Sequence, residues 1–439
     1  MIRDIYQTLT VWKDSDTKRP LLVRGARQTG KSWIIQEFGK KEFDNIIVIN
    51  FERNPGYKAI FKTLIPAEII ERITLFTAQK PVPRKCLLFL DEIQECPEAI
   101  VSLRYFHEEM PDLHVIGAGS LLEFALRRED FRMPVGRIQY LYLYPMSFGE
   151  FLDALGESAL RNHILHFSNL NDLPEGIHEK LNEYVRKYYF LGGMPAVVRE
   201  YITSRDIIKC QRIQRSIIDT YMDDFAKYSK VTSHPTLQKI FNSVPGMTGQ
   251  KFVYAHVDRS IKSEKLKEAL ELLETAGIVN RVRQTSGSGI PLSSGVHESF
   301  FKVIFLDVGL FHAISGVYSE TAKETDFNAI FKGAVAEQFV GQEFITSQSP
   351  YTKAEIWYWG RKAKSSTAEI DYLIEKNGKI IPVEVKSGST GRMKSLHLFM
   401  EQHHTKQALR ISQAMFQLGN PVICLPFFAI ESFLRWEES

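Results

Sequence analysis

Short apolar runs punctuate the first third of the chain. Leu21-Leu22-Val23, Ile46-Ile47-Val48-Ile49, Cys86-Leu87-Leu88-Phe89-Leu90 and His114-Val115-Ile116 are too short for buried helices and lack polar alternation. That is the pattern of strands covered on both faces, as in a parallel sheet. Ile138–Leu143 reads as a further strand. From about residue 150 to 235 the spacing turns helical and rich in charge. Leu266, Leu270 and Leu273 then share one face of a helix that Ser263 caps and Gly277 ends. Ile278–Arg283 and Phe301–Leu306 read as strands on either side of the flexible turn Ser286-Gly287-Ser288-Gly289. Near the far end, Ala368–Glu375 and Lys379–Lys386 alternate strictly about Asn377-Gly378, the preferred two-residue hairpin turn. The spacing there predicts helix 332–346, strands 355–360, 369–375 and 379–387, helix 393–402 and strand 408–412.

Candidate chemistry falls at the ends of these runs. After the first strand comes Gly25-Ala26-Arg27-Gln28-Thr29-Gly30-Lys31-Ser32, a match to G-x-x-x-x-G-K-[ST]. Its glycines allow a tight nest of backbone N–H groups aimed at phosphate oxygens. Lys31 can reach the β- and γ-phosphates of ATP, and the Ser32 hydroxyl can ligate Mg²⁺. The strand Cys86–Leu90 ends in Asp91-Glu92, placing one carboxylate for Mg²⁺ and a second to polarise the attacking water. Ser120 closes the run from His114; it either senses the γ-phosphate or caps the next helix, with Glu123 three residues on as a capping-box partner. Arg137 precedes the strand at Ile138 and is a candidate for transition-state charge, in cis or supplied to a neighbouring copy.

Together these segments resemble a prokaryotic group of AAA-like, STAND-related P-loop ATPases. The residues that carry the resemblance are Gly25–Ser32, Leu90-Asp91-Glu92, Gly117–Ser120, Gly136-Arg137, Tyr144-Pro145-Met146-Ser147-Phe148 and Leu191-Gly192-Gly193-Met194-Pro195. Phe305-Leu306-Asp307-Val308-Gly309-Leu310 closely resembles a signature of the uncharacterised C-terminal region fused to these ATPases, and reads as structural.

With 55 basic and 52 acidic residues, the 439-residue chain is too balanced for its net charge of +3 to argue nucleic-acid binding. Cys86, Cys96, Cys210 and Cys424 are scattered, which excludes a zinc cluster or a disulfide framework. No signal peptide and no bilayer-spanning run is expected, so the expected setting is the cytoplasm, away from membranes.

The helix from Ser263 and the strands around Ser286–Gly289 form the winged-helix pattern. Its charges are mixed: Glu264, Glu268, Glu271 and Glu274 lie beside Lys262, Lys265 and Lys267. The domain is therefore either a DNA reader or a spacer for protein contacts.

The hairpin around Asn377-Gly378 carries a second candidate centre. Cross-strand pairing sets Asp371 against Glu384 and Glu369 against Lys386, with Ile370, Tyr372 and Ile374 facing Val385, Val383 and Ile381 as one apolar face. Opposed carboxylates repel unless a divalent cation lies between them. Lys386 shares the face of Glu384 and can hold the attacking water or the scissile phosphate. This is D…(D/E)-x-K, the metal-nuclease signature of the restriction-endonuclease-like fold, and Glu337 resembles that fold's first-helix acid. Ser387-Gly388-Ser389 and Arg392-Met393-Lys394-Ser395 are placed to approach a phosphodiester backbone.

The expected architecture is α/β: a P-loop NTPase parallel sheet over 1–150, a helical region 151–235, a winged-helix-like domain 236–312, and a restriction-endonuclease-like α/β domain 325–439. Expected partners are ATP, Mg²⁺, DNA and further copies of the chain. The leading expectation is ATP hydrolysis coupled to DNA binding or cleavage. The alternative is an ATP-driven switch with a C-terminal domain that docks without cutting.

Overall fold

The apolar runs of the first third become one parallel sheet. A computed structural model describes residues 1, 3–120, 122–126, 136–225, 232–316, 333–361, 368–388 and 393–436. Its strands are β1 (Leu21–Arg24), β2 (Asn45–Asn50), β3 (Cys86–Asp91), β4 (His114–Ala118) and β5 (Gln139–Tyr142), in spatial order β2-β3-β4-β1-β5. Both faces are covered, as the run composition requires. Ile47, Ile49, Leu88, Leu90 and Val115 pack with helix residues such as Ile69, Ile73, Ile100 and Leu103. On the other side Val23, Leu87, Phe89 and Ile116 pack with Ile34, Ile35 and Phe38. This sheet belongs to a compact unit of Ile2–Tyr144 and Ser349–Lys353, in which the Pro350 carbonyl accepts from Tyr142 N at 2.7 Å.

The second unit holds Pro145–Gln348 and Ala354–Ser439. Its seven-stranded mixed sheet comprises β6 (Val279–Thr285), β7 (Val296–Phe305), β8 (Ile356–Gly360), β9 (Glu369–Lys376), β10 (Lys379–Val385), β11 (Ala408–Ser412) and β12 (Val422–Pro426), in order β12-β11-β10-β9-β8-β6-β7. The segment read as winged-helix-like over 236–312 does not keep a sheet of its own. Helices His234–Met247 and Ser263–Thr275 do precede the β6–β7 hairpin, but β6 pairs in parallel with β8, Val282 opposite Ile356. The hairpin is the edge of the C-terminal sheet. The tip of the turn also faces inward: a Cβ on Gly287 would meet the Phe399 ring at 2.9 Å.

The helix Ala334–Thr346 is buried almost all round, so its polar side chains must find partners inside the fold. Gln338 accepts from Phe305 N at 2.7 Å and donates to Phe305 O at 2.9 Å. Gln342 accepts from Val308 N at 2.8 Å and donates to the Tyr188 hydroxyl at 2.8 Å. Glu343 accepts from Phe148 N at 2.9 Å. Burial pushes the Glu343 carboxyl up to about 8, with Glu431 and Glu150 adding to the shift and Arg161 opposing it.

A raised folded-state value means the protonated form favours folding. That contribution is complete below the ordinary carboxylate value and is lost as pH rises through about 8. The thermal midpoint is therefore expected to fall between about pH 5 and pH 8 and to level off above, and to fall less in Glu343→Gln. Equal slopes in the two proteins, measured by circular dichroism, would remove Glu343 as the source.

Candidate ATP site and C-terminal carboxylate centre

The P-loop turns where its glycines allow. Gly25 has φ 143°, and a Cβ there would lie 2.2 Å from the Leu143 carbonyl oxygen, so only glycine fits. Gly30, at φ 94°, sits at the N-cap of the helix Lys31–Glu42, whose N-terminal dipole favours an anion. The loop is tied down by Thr29, whose hydroxyl donates to Ala26 O at 3.0 Å, and by Arg3, which donates to Thr29 O at 3.1 Å.

Lys31 folds back over the loop and donates to Gly25 O at 2.9 Å and Ala26 O at 2.6 Å. Burial holds its amine down to about 8, against the pull of Glu92 and Asp91. The Ser32 hydroxyl donates to Asp91 Oδ1 at 2.8 Å. The donor set fits a hard divalent cation: a hydroxyl and a carboxylate lie side by side at the end of β3. Asp91 is oriented by Asn50 Nδ2 at 2.8 Å, and burial raises its carboxyl. Asn50 was not among the expected site residues; its signal is the polar end of the apolar run in β2.

Glu92 adopts a left-handed backbone, φ 50°, at the strand end. Gln94 Nε2 donates to its Oε2 at 2.7 Å, and the Ser120 N–H and hydroxyl reach the same oxygen at 3.5 Å and 3.4 Å. The Ser120 hydroxyl also accepts from Arg27 Nε at 3.1 Å. Glu123, the acid a capping box at Ser120 would use, is held by Arg24 instead. Gln94 had no signal in the sequence. The close approach of its side chain explains Gly119, where a Cβ would fall 1.9 Å from Gln94 Oε1.

Arg137 is not brought into this site. Parallel pairing sets Gln139 opposite Leu21 and Tyr142 opposite Arg24, so Arg137 lies at the end of the sheet away from the P-loop. At about 3.3 Å per residue the separation along the strands exceeds the reach of one arginine. Arg137 instead pairs with Glu108 at 2.9 Å on the surface. Of the two alternatives read for Arg137, this position does not support the one in cis.

In the second unit, β9 and β10 pair in the register given by the Asn377-Gly378 turn, from Lys376 opposite Lys379 to Tyr372 opposite Val383. Beyond that the Asp371 carboxylate takes over, accepting from Val385 N at 2.7 Å. The strict alternation expected of β9 breaks at this point. Trp357 pairs with Leu373 and Trp359 with Ile370, so Asp371 and Tyr372 together oppose Tyr358 in a bulge. Ile370 therefore packs with Leu373, Leu396 and Phe399, not on one face with Tyr372. Tyr372 turns to the other side and donates to Glu337 O at 2.8 Å.

The structure gathers Glu337, Asp371, Glu384 and Lys386, and adds Glu369 and Lys302. Lys302, on β7 and only 2 % exposed, reaches Glu369 Oε1 at 2.6 Å, Glu337 Oε2 at 3.4 Å and Asp371 Oδ1 at 3.8 Å. Glu369 thus pairs with Lys302, while Lys386 pairs with Glu384. Burial pushes Glu337 up to about 8 against the pull of Lys302. Burial and then the Asp371 charge raise Glu384, whose Oε2 is buried with no hydrogen-bond partner among the described residues. Among the described residues no three His, Cys, Asp or Glu side chains are disposed to hold a metal ion. The residues present do not fit the expected metal cage, because an ammonium stands among the carboxylates. Ser389 and Arg392 lie outside the described residues.

Residues 17–152 match the AAA domain family. They are a P-loop ATPase domain. Residues 182–321 and 332–427 match two domains of unknown function, DUF8612 and DUF4143. No curated protein matches the chain. Among solved structures, the Walker-type ATPase PABY2304 of Pyrococcus abyssi is 16% identical, covers 72% of this chain and 96% of its own, and gives a TM-score of 0.47. A STAND protein with a tetratricopeptide repeat sensor from Pyrococcus horikoshii is 10% identical over 78% of this chain and 45% of its own, TM-score 0.27. The Thermotoga maritima RuvB branch-migration motor is 17% identical over 64% and 89%, TM-score 0.26. No helix among the described residues is long and apolar enough to cross a membrane.

Proposed function

We propose that the chain is an ATP-driven switch whose C-terminal domain engages a partner without cutting it. The observation that carries this reading is the pairing of a fully assembled phosphate loop with a carboxylate centre occupied by Lys302. ATP phosphates enter the nest of N–H groups, and Lys31 exchanges the Gly25 and Ala26 carbonyls for phosphate oxygens. Ser32 and Asp91 would hold Mg²⁺, which would supply positive charge beside the phosphates. Glu92 leaves Gln94 and Ser120 and orients the attacking water. Release of Glu92 therefore alters the loop at Ser120, which gives the site two conformations to switch between. Arg137 serves only a neighbouring copy in a homo-oligomer.

Lys31→Ala is expected to lose ATP turnover and ATP binding together in a coupled phosphate-release assay and a nucleotide titration. Turnover at the wild-type rate would end the proposal. The second reading, metal-dependent DNA cleavage by Asp371, Glu384 and Lys386, is favoured by Glu384 Oε2, which lies beside Lys386 and has no hydrogen-bond partner among the described residues. Under the switch reading, single-stranded, duplex and branched DNA remain intact with Mg²⁺ or Mn²⁺, with and without ATP. Cutting that disappears in Asp371→Ala would establish the second reading instead.

A further inference from the structure

We infer that Lys302 is the built-in cation of the C-terminal carboxylate centre, standing where a divalent ion would otherwise bind. The proposal deepens the non-cutting reading of the C-terminal domain and rests on the same Lys302 contacts, but not on ATP turnover, whose groups lie in the first unit.

Three carboxylates from two elements converge on one amine. Glu337 comes from the buried helix, Glu369 and Asp371 from β9, and Lys302 from β7. An unpaired buried charge is costly, so carboxylates gathered this closely require a cation. The ammonium meets that need with contacts of 2.6, 3.4 and 3.8 Å. The Tyr358 ring adds a face 5.3 Å from Nζ. A dication bound by the same oxygens would require oxygen distances of about 2.0–2.6 Å and would sit on top of the ammonium. Occupancy by one excludes the other.

The source of the lysine strengthens the argument. The carboxylates lie in the 332–427 segment, whereas Lys302 lies in the 182–321 segment. It reaches them only because the β6–β7 hairpin joins the C-terminal sheet beside β8. That joint places a lysine in a centre whose own strands carry the pattern of a metal site.

The test uses full-length protein stripped with EDTA and titrated with Mn²⁺ by calorimetry and with Tb³⁺ by luminescence. Tyr358 lies close enough to sensitise an ion at the Lys302 position. Signal that disappears on adding Asp371→Asn is assigned to this centre, which sets aside any ion bound at the P-loop. Wild type is expected to show no Asp371-dependent signal. Lys302→Met keeps an unbranched, flexible side chain one atom shorter and removes its charge. It is expected to gain one saturable, Asp371-dependent site at least about tenfold tighter than anything in wild type. An Asp371-dependent site in wild type overturns the proposal, and so does a folded Lys302→Met protein that gains none. Should Lys302→Met fail to fold in EDTA, Mn²⁺ is expected to restore its melting transition, and failure to restore it overturns the proposal.

Discussion

Glu92→Gln is expected to lower the ATP hydrolysis rate by about 10²–10⁴-fold, the range a positioned acid or base contributes. ATP binding is expected to stay within about threefold, well under one pair of phosphate contacts. The two outcomes separate because of where Glu92 sits. Its carboxylate touches neither Lys31 nor Ser32 directly; it is held by Gln94 and Ser120. Glutamine keeps an acceptor for those donors and leaves Asp91, which is fixed by Ser32 and Asn50, undisturbed. What it lacks is a charge to polarise water. Single-turnover hydrolysis together with a fluorescent-nucleotide titration makes the distinction. A parallel loss of binding and turnover would place Glu92 in nucleotide retention, and undiminished turnover would remove it from the chemistry.

The parts of this site that are contiguous in sequence were legible there, because a strand, a glycine turn and a helix N-terminus are local. The P-loop needs eight consecutive residues, Gly25–Ser32, and the acidic pair follows its strand directly. The partners that orient these groups are not part of those motifs. Asn50 belongs to a different strand, and Gln94 acts by folding back onto Glu92. Only Asn50 leaves a trace, as the polar end of an apolar run; Gln94 has no residue type or spacing that announces its role. Arg137 shows the opposite failure: a plausible residue type in a strand context, placed at the far end of the sheet by parallel pairing that a linear pattern does not reveal.

The C-terminal centre shows the same limit more sharply. A two-residue turn fixes a hairpin register, so the approach of Asp371 to Glu384 could be reasoned from alternation alone. The bulge at Asp371 and Tyr372 could not, because it is imposed by Tyr358 on the neighbouring strand. Nor could Lys302, which enters through parallel pairing of β6 with β8 across more than seventy positions. One charged residue supplied by a non-local edge changes a metal pattern into an internal ion-pair network. A motif read on two strands says which groups meet, and the rest of the sheet decides what stands between them.

Asp307→Ala is expected to cost about 4 kcal/mol of folding stability, since two or three buried backbone donors would lose their acceptor at about 1–3 kcal/mol each, less some relaxation. Asp307 is completely buried. Its oxygens accept from Gly193 N at 2.6 Å and Leu310 N at 3.0 Å, with Gln342 Nε2 at 3.4 Å. Gly192, at φ 70°, closes the turn around it, and a Cβ there would lie 2.1 Å from Asp307 Oδ1. The carboxyl is nevertheless pushed up to about 6, because burial outweighs these donors. The same knot takes in Met146, whose N–H donates to Gly193 O at 2.7 Å and whose carbonyl accepts from Tyr188. Removing Asp307 therefore strips the acceptor from the point where the segments around Met146, Gly193 and Asp307 meet the buried helix. Urea denaturation followed by circular dichroism measures the loss. A cost below about 1 kcal/mol would mean that water replaces the carboxylate, and that the Gly192-Gly193 turn holds its shape without Asp307.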